Sequence, residues 1–172
     1  MKKFLATSLL LLSSIVIFIS CEKDDICGET EPTTPGLFVE FYNYEDQNVP
    51  RLETITAYAV GQEEHTIESS GNKLLLPFRL DQQETSWVLN RTIGTGIEKV
   101  ILKDTLSFKY RVTTTYLNKA CGYVSTFSLL QNGTSPLLNG KEDSKEGNWI
   151  KLYETLTNEI ENDETAHFQI YY

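Results

Sequence analysis

The chain has 172 residues, 40% of them hydrophobic and 23% charged, and its 15 basic residues against 24 acids leave a net charge of −9 at pH 7. An acidic balance of that size repels nucleic acid and anionic lipid alike, which excludes both as charge-driven partners. The length admits one compact domain of ordinary size.

Residues 1–20 have the layout of a bacterial lipoprotein signal. Lys2 and Lys3 precede an apolar run over 4–19, and Ser20 stands just before Cys21, as a charged n-region, a translocated core and a small residue at the cut require. The run has sixteen residues, interrupted by Thr7, Ser8, Ser13 and Ser14, short of the roughly 20 that span a bilayer. Phe18-Ile19-Ser20-Cys21 resembles a lipobox, with Phe18 where Leu is more usual. After cleavage Cys21 is expected to carry a diacylglyceryl thioether and an acylated amino group. Two or three acyl chains anchor stably where one is marginal. Cleavage leaves 152 residues, and loss of the two lysines takes the net charge to −11.

Residues 21–36 are charged, rich in Thr and Pro and almost without apolar side chains, which is a tether rather than a packed element. Strand signatures follow. Residues 37–42 are aromatic and β-branched, and 54–60 alternate Ile55, Ala57 and Ala59 against Thr54, Thr56, Tyr58 and Val60. The apolar run 73–80 holds Pro77, which lacks the N–H of a ladder and predicts an edge strand or a bulge. Residues 85–89, with Trp87, form the next candidate strand.

Residues 97–102 and 105–116 are predicted as two strands turned at Lys103 and Asp104. In the second, Leu106, Phe108, Tyr110 and Val112 share one face and Ser107, Lys109, Arg111 and Thr113 the other. Residues 121–130 set Cys121, Tyr123, Ser125 and Phe127 on one face, with Tyr123 and Phe127 expected in the core. Residues 132–148 read as a polar loop, 149–156 as a strand or short helix, and 166–172 as a last strand. There Ala166, Phe168, Ile170 and Tyr172 alternate with His167, Gln169 and Tyr171. About eight or nine short strands predict an all-β chain, a single β-sandwich over 37–172, immunoglobulin-like in the first instance and a jelly roll or other barrel in the second.

With Cys21 lipidated, Cys27 and Cys121 remain. An even pair in an exported chain is most simply a disulfide; two buried free thiols, or pairing between molecules, are the alternatives. The two histidines do not make a metal site. His65 lies in the acidic turn over 61–65 with no second ligand at helical or strand spacing, and His167 falls on the polar face of the last strand, expected to be exposed. No nucleophile elbow, phosphate-binding glycine loop or zinc-type cysteine pair occurs. Paired-acid hydrolysis needs two carboxylates facing across a cleft, whereas the acids cluster in turns: Glu63 with Glu64, Glu142 with Asp143, and Glu159, Glu161, Asp163 and Glu164. No Asp-x-Asp-x-Asp-Gly calcium run is present. Nine Tyr, eight Phe and two Trp could build an exposed sugar or peptide platform, though on strands most aromatics are core or cross-strand pairs.

Two short motifs carry a resemblance. Asp104-Thr105-Leu106 resembles the Asp-Thr/Ser-apolar site at which exported Bacteroidota proteins are O-glycosylated, which would make Thr105 the acceptor. Lys23, Asp24 and Asp25 directly after Cys21 resemble the surface-export signal of Bacteroidota lipoproteins. Together with Ile26-Cys27, the run 37–42, Ala120-Cys121-Gly122-Tyr123 and the ending over 164–172, they resemble an uncharacterised Bacteroidota lipoprotein family, the domain-of-unknown-function 6452 family, over the whole mature chain. The resemblance implies the location and the Cys27–Cys121 pairing, and no activity.

The expected protein is therefore an outer-membrane lipoprotein, surface-exposed or else facing the periplasm, held to the membrane by its lipid and working as a binding or structural module. An accessory subunit of an envelope uptake or secretion complex is the alternative. No enzyme activity and no cofactor are expected; a glycan or another envelope protein is the kind of partner to look for.

Overall fold

The computed structural model describes residues 26–130, 136–141, 144 and 146–172. Cys21, Lys23, Asp24, Asp25, Glu142 and Asp143 lie outside the described residues, and with them the lipidation and export motifs. The described residues form eleven strands: β1 (Leu37–Tyr42), β2 (Ile55–Ala59), β3 (Ile67–Glu68), β4 (Lys73–Leu76), β5 (Glu84–Ile93), β6 (Val100–Asn118), β7 (Gly122–Leu129), β8 (Leu137–Leu138), β9 (Leu152–Thr155), β10 (Glu159–Ile160) and β11 (Phe168–Tyr171). One sheet has the order β4-β1-β11-β9, the other β10-β7-β6-β5-β2-β3 with β8 added against β6. The chain divides into two compact units. The larger is Pro32–Thr115 with Val124–Tyr172; the smaller joins Tyr116–Tyr123 to the N-terminal segment, of which residues 26–31 are described.

The larger unit holds the core, and alternation builds it. Leu37, Val39 and Phe41 of β1 and Phe168 and Ile170 of β11 are fully buried, as are Ile55, Leu89, Leu106, Phe108 and Tyr110 of the other sheet. Every second side chain points inward, so each strand supplies one apolar row. The rows meet in an aromatic layer. Phe78 stacks on Tyr110 at 4.4 Å, Phe127 meets Phe78 edge-on at 5.4 Å, and Phe108 meets Phe168 edge-on at 5.5 Å. Burial begins at Pro35, two residues before β1.

The chain is all-β with two sheets, as expected, and four details differ. Eleven strands replace eight or nine, because β3, β8 and β10 are two-residue ladders too short to show a period. The sheets hold four and seven strands, and β1 pairs with β11 in parallel, Val39 opposite Phe168. The four-plus-three order of an immunoglobulin domain is not reproduced. The turn expected at Lys103 and Asp104 does not exist: β6 runs unbroken through Val100–Asn118, with Asp104 paired opposite Leu89 of β5 and buried. Its charge suggested a turn, but the carboxylate serves a loop, as described below. Pro77, by contrast, acts as predicted. β4 stops at Leu76 and lies at a sheet edge, where a missing N–H costs nothing.

The turn between β5 and β6 depends on Gly94. Its φ is +77°, and a Cβ there would lie 2.7 Å from the Glu98 carbonyl oxygen, so only glycine fits.

Candidate functional site

The smaller unit is built by a hairpin tip. Asn118 ends β6, and its Oδ1 accepts from the N–H of Ala120 at 2.9 Å and of Cys121 at 2.8 Å. An asparagine amide capping the backbone two and three residues on is a turn in itself. Gly122 then takes φ +70° to open β7. Cys121, held in this turn, is bonded to Cys27, with the two Cα atoms 4.8 Å apart at a sequence separation of 94. Of the alternatives left open by the sequence, the intramolecular disulfide is the one realised.

Closing so large a loop removes much freedom from the unfolded chain, about 4–5 kcal/mol in the chain-entropy treatment. The folded chain is already partly closed, however. Thr34 Oγ1 accepts from Ser125 N at 3.0 Å, so the native ring the bridge completes is only about eleven residues, which the same treatment charges at about 3 kcal/mol. The net stabilisation is therefore about 2 kcal/mol.

Beside the bridge, Tyr116 of β6 and Tyr123 of β7 meet edge-on at 5.2 Å, with 55% and 71% of their surface exposed. Tyr123 does not enter the core as its shared parity with Phe127 predicted; Phe127 does. Most of the other described aromatics behave as core, Tyr44 being exposed and Tyr42 and Tyr58 half-buried. Trp87 and Trp149 are buried, and the Trp149 indole N–H donates to the Leu89 carbonyl at 3.2 Å.

Two surface recesses bear on catalysis. The larger, about 470 Å³, is lined by Ala59, Gln62, Arg79, Gln82, Glu84 and Thr85 among others. Glu84 is the one carboxylate on its wall, where a paired-acid hydrolase needs two. The smaller, about 280 Å³, is lined by Glu68 and Asp163 together with Lys73 and Phe38. The Asp163 carboxylate there already accepts from the Gly36 N–H at 2.9 Å. Among the described residues no three of His, Cys, Asp and Glu are grouped to hold a metal ion. His65 is exposed in its turn.

His167 contradicts the expectation of an exposed polar face. It is 1% exposed. Its Nδ1 accepts from the Phe38 N–H at 3.0 Å, while the His167 backbone N–H donates to the Phe38 carbonyl at 2.9 Å. The imidazole thus completes the ladder where the parallel β1–β11 pair begins, a polar residue buried because it replaces a backbone acceptor. Burial holds its pKa below the usual histidine value, against a smaller upward pull from Asp163. A depressed folded value means the unfolded chain takes up the proton first. The stabilisation is complete above the unfolded pKa of about 6.5 and is lost as pH falls through the folded value. Thermal unfolding of the wild type is expected to drop between pH 7.5 and 5.5, and His167→Gln should flatten that slope. Equal slopes for the two proteins would refute the assignment.

The family model described as "Family of unknown function (DUF6452)" matches residues 54–172, which is well over half of the chain. The chain belongs to the DUF6452 family. Comparison with curated proteins and with solved structures finds no match. The match is narrower than the expected whole mature chain. It takes in β2 to β11 and Cys121, while β1, Cys27 and Cys21 precede it.

Within this DUF6452 domain, Thr105 lies half-buried in the middle of β6. Its N–H donates to Asn139 Oδ1 at 2.8 Å, and its carbonyl accepts from Asn139 N at 2.8 Å. Asp104, the acid of the same motif, is enclosed by the loop after β8. Sequence reasoning did not find Tyr116, which stood at the end of a predicted strand with nothing to mark it as exposed. The signal available was the polar turn over 118–120 next to Cys121, which places both neighbouring tyrosines at a tip.

Proposed function

We propose that the protein is a lipid-anchored envelope lipoprotein of the Bacteroidota kind, held in the outer membrane by acylated Cys21, displayed at the cell surface through Lys23, Asp24 and Asp25, and working without catalysis as a binding or structural module. The observation that carries the reading is the Cys27–Cys121 bridge. Such bonds persist in oxidising compartments outside the cytosol, which agrees with an exported chain, and the bridge sits six residues from the lipobox cysteine. A second reading, a subunit of an envelope uptake or secretion complex, is favoured by the end of the β5–β6 hairpin, where Ile93 and Val100 stand opposite one another in the ladder and, with Ile97, are exposed apolar side chains of the kind that contact surfaces use.

Growth of an expressing bacterium with labelled palmitate tests the anchor. The wild type is expected to take up label and to fractionate with membranes, and Cys21→Ala to take up none and to be either unprocessed or released from the membrane. Equal labelling of both proteins would end the lipoprotein reading.

A further inference from the structure

From the smaller unit we infer that the hairpin tip, Tyr116 and Tyr123 with Lys119 in the turn, seats in the headgroup layer of the same bilayer that holds Cys21. The inference rests on the lipid-anchor reading and deepens it by naming what the tip touches. Three observations carry it.

The first is reach. Cys27 is fixed beside Cys121, Cα to Cα 4.8 Å, and six residues separate it from Cys21. Even fully extended, those residues span about 20 Å, so an acyl chain on Cys21 confines the tip to the membrane surface. Tyr116 and Tyr123 belong to this tip, within the same compact unit.

The second is chemistry. Tyr116, Tyr123 and Ile26 are 55%, 71% and 85% exposed. Tyrosine combines an apolar ring with a polar end and concentrates at membrane–water interfaces for that reason. The two rings are inclined at 62°, so they offer no flat floor on which a sugar ring could stack.

The third is charge, which decides the kind of lipid. The cleaved chain that bears the acyl groups carries −11 overall, and Lys119 shares its unit with Glu29 and Glu31. Attraction to anionic lipid is therefore absent, and contact must come from the rings. Two tyrosines alone bind a bilayer weakly, but a short tether raises their effective concentration at the surface to the millimolar range. The contact is expected with zwitterionic lipid and to be insensitive to salt.

The test uses the full lipidated protein, purified in detergent and reconstituted into phosphatidylcholine vesicles whose acyl chains carry bromine near the headgroup. Tyr116→Trp places an indole at the tip; Trp87 and Trp149, 5% and 2% exposed, supply a shielded background measured on the wild type. Emission from the new indole is expected to shift to the blue and to lose most of its intensity in brominated vesicles, at low and high salt alike. The same variant as a non-acylated Cys21→Ala chain made without residues 1–20 should show neither change. If Tyr116→Trp does not fold, Tyr123→Trp replaces it. A protein that floats with the vesicles, with acylated Cys21 verified by mass spectrometry but an unquenched indole emitting as in water, overturns the inference and leaves the anchor standing. A protein without acyl on Cys21 overturns both.

Discussion

Replacing Asp104 by alanine is expected to cost about 2–6 kcal/mol, a large share of the stability of an ordinary domain. Asp104 has no exposed surface, and four donors converge on its carboxylate. Oδ1 accepts from the Asn139 amide at 2.6 Å and from Asn148 N at 2.7 Å. Oδ2 accepts from Trp149 N at 2.8 Å and from Ile150 N at 2.9 Å. Three of the four are backbone N–H groups of the loop leading to β9, and the two that are buried, those of Trp149 and Ile150, each cost about 1–3 kcal/mol when left without an acceptor. Gly147 confirms how tightly the loop wraps this side chain, because a Cβ there would fall on the Asp104 carboxylate. Asp104→Asn keeps the volume but turns an NH2 toward two donors. It should cost less than alanine because one oxygen still accepts. Urea unfolding of the three proteins gives the differences. An alanine variant within 1 kcal/mol of wild type, against the roughly 1–3 expected per orphaned donor, would show that the loop is held by other contacts.

Asp104 also marks where reading the sequence failed. An acid next to a lysine looks like a turn, and the four groups that make it a buried residue come from positions 35 to 46 residues later. Nothing local announces them. His167 failed for the same reason: its partner Phe38 lies 129 residues away. Where the governing contacts are local, the reading succeeded. The period of two in β6 put Leu106, Phe108 and Tyr110 in the core, and Pro77 put β4 at an edge. Tyr123 shows the limit of periodicity. Parity says which side of a strand a residue takes, and says nothing about whether anything covers that side. The candidate site was legible to the extent that cysteine arithmetic reaches. It joined Cys27 to Cys121, and the exposed tyrosines beside the bridge needed the folded hairpin to be seen.

Phe168→Ala is the second large effect expected, a loss of about 3–5 kcal/mol. β11 is an inner strand of its sheet, with β1 on one side and β9 on the other, and Phe168 is its fully buried entry point. The ring meets Phe108 of the opposite sheet edge-on at 5.5 Å and stacks on Tyr153 at 5.3 Å, so truncation opens a cavity between the sheets as well as removing two ring contacts worth about 0.5–1.5 kcal/mol each. The strand itself has few alternatives for closing the gap. Val39 pairs opposite Phe168 in the parallel ladder, and a backbone shift of β11 toward the cavity would pull His167 off the Phe38 N–H. Collapse is therefore limited, which places the cost toward the upper end of the range. Phe168→Leu restores most of the volume without the ring and should recover more than half of the loss. If leucine is as damaging as alanine, the ring contacts rather than the cavity set the cost. An alanine variant that unfolds at the wild-type urea midpoint would mean that β11 is dispensable to the sandwich, and the account of its core would fail.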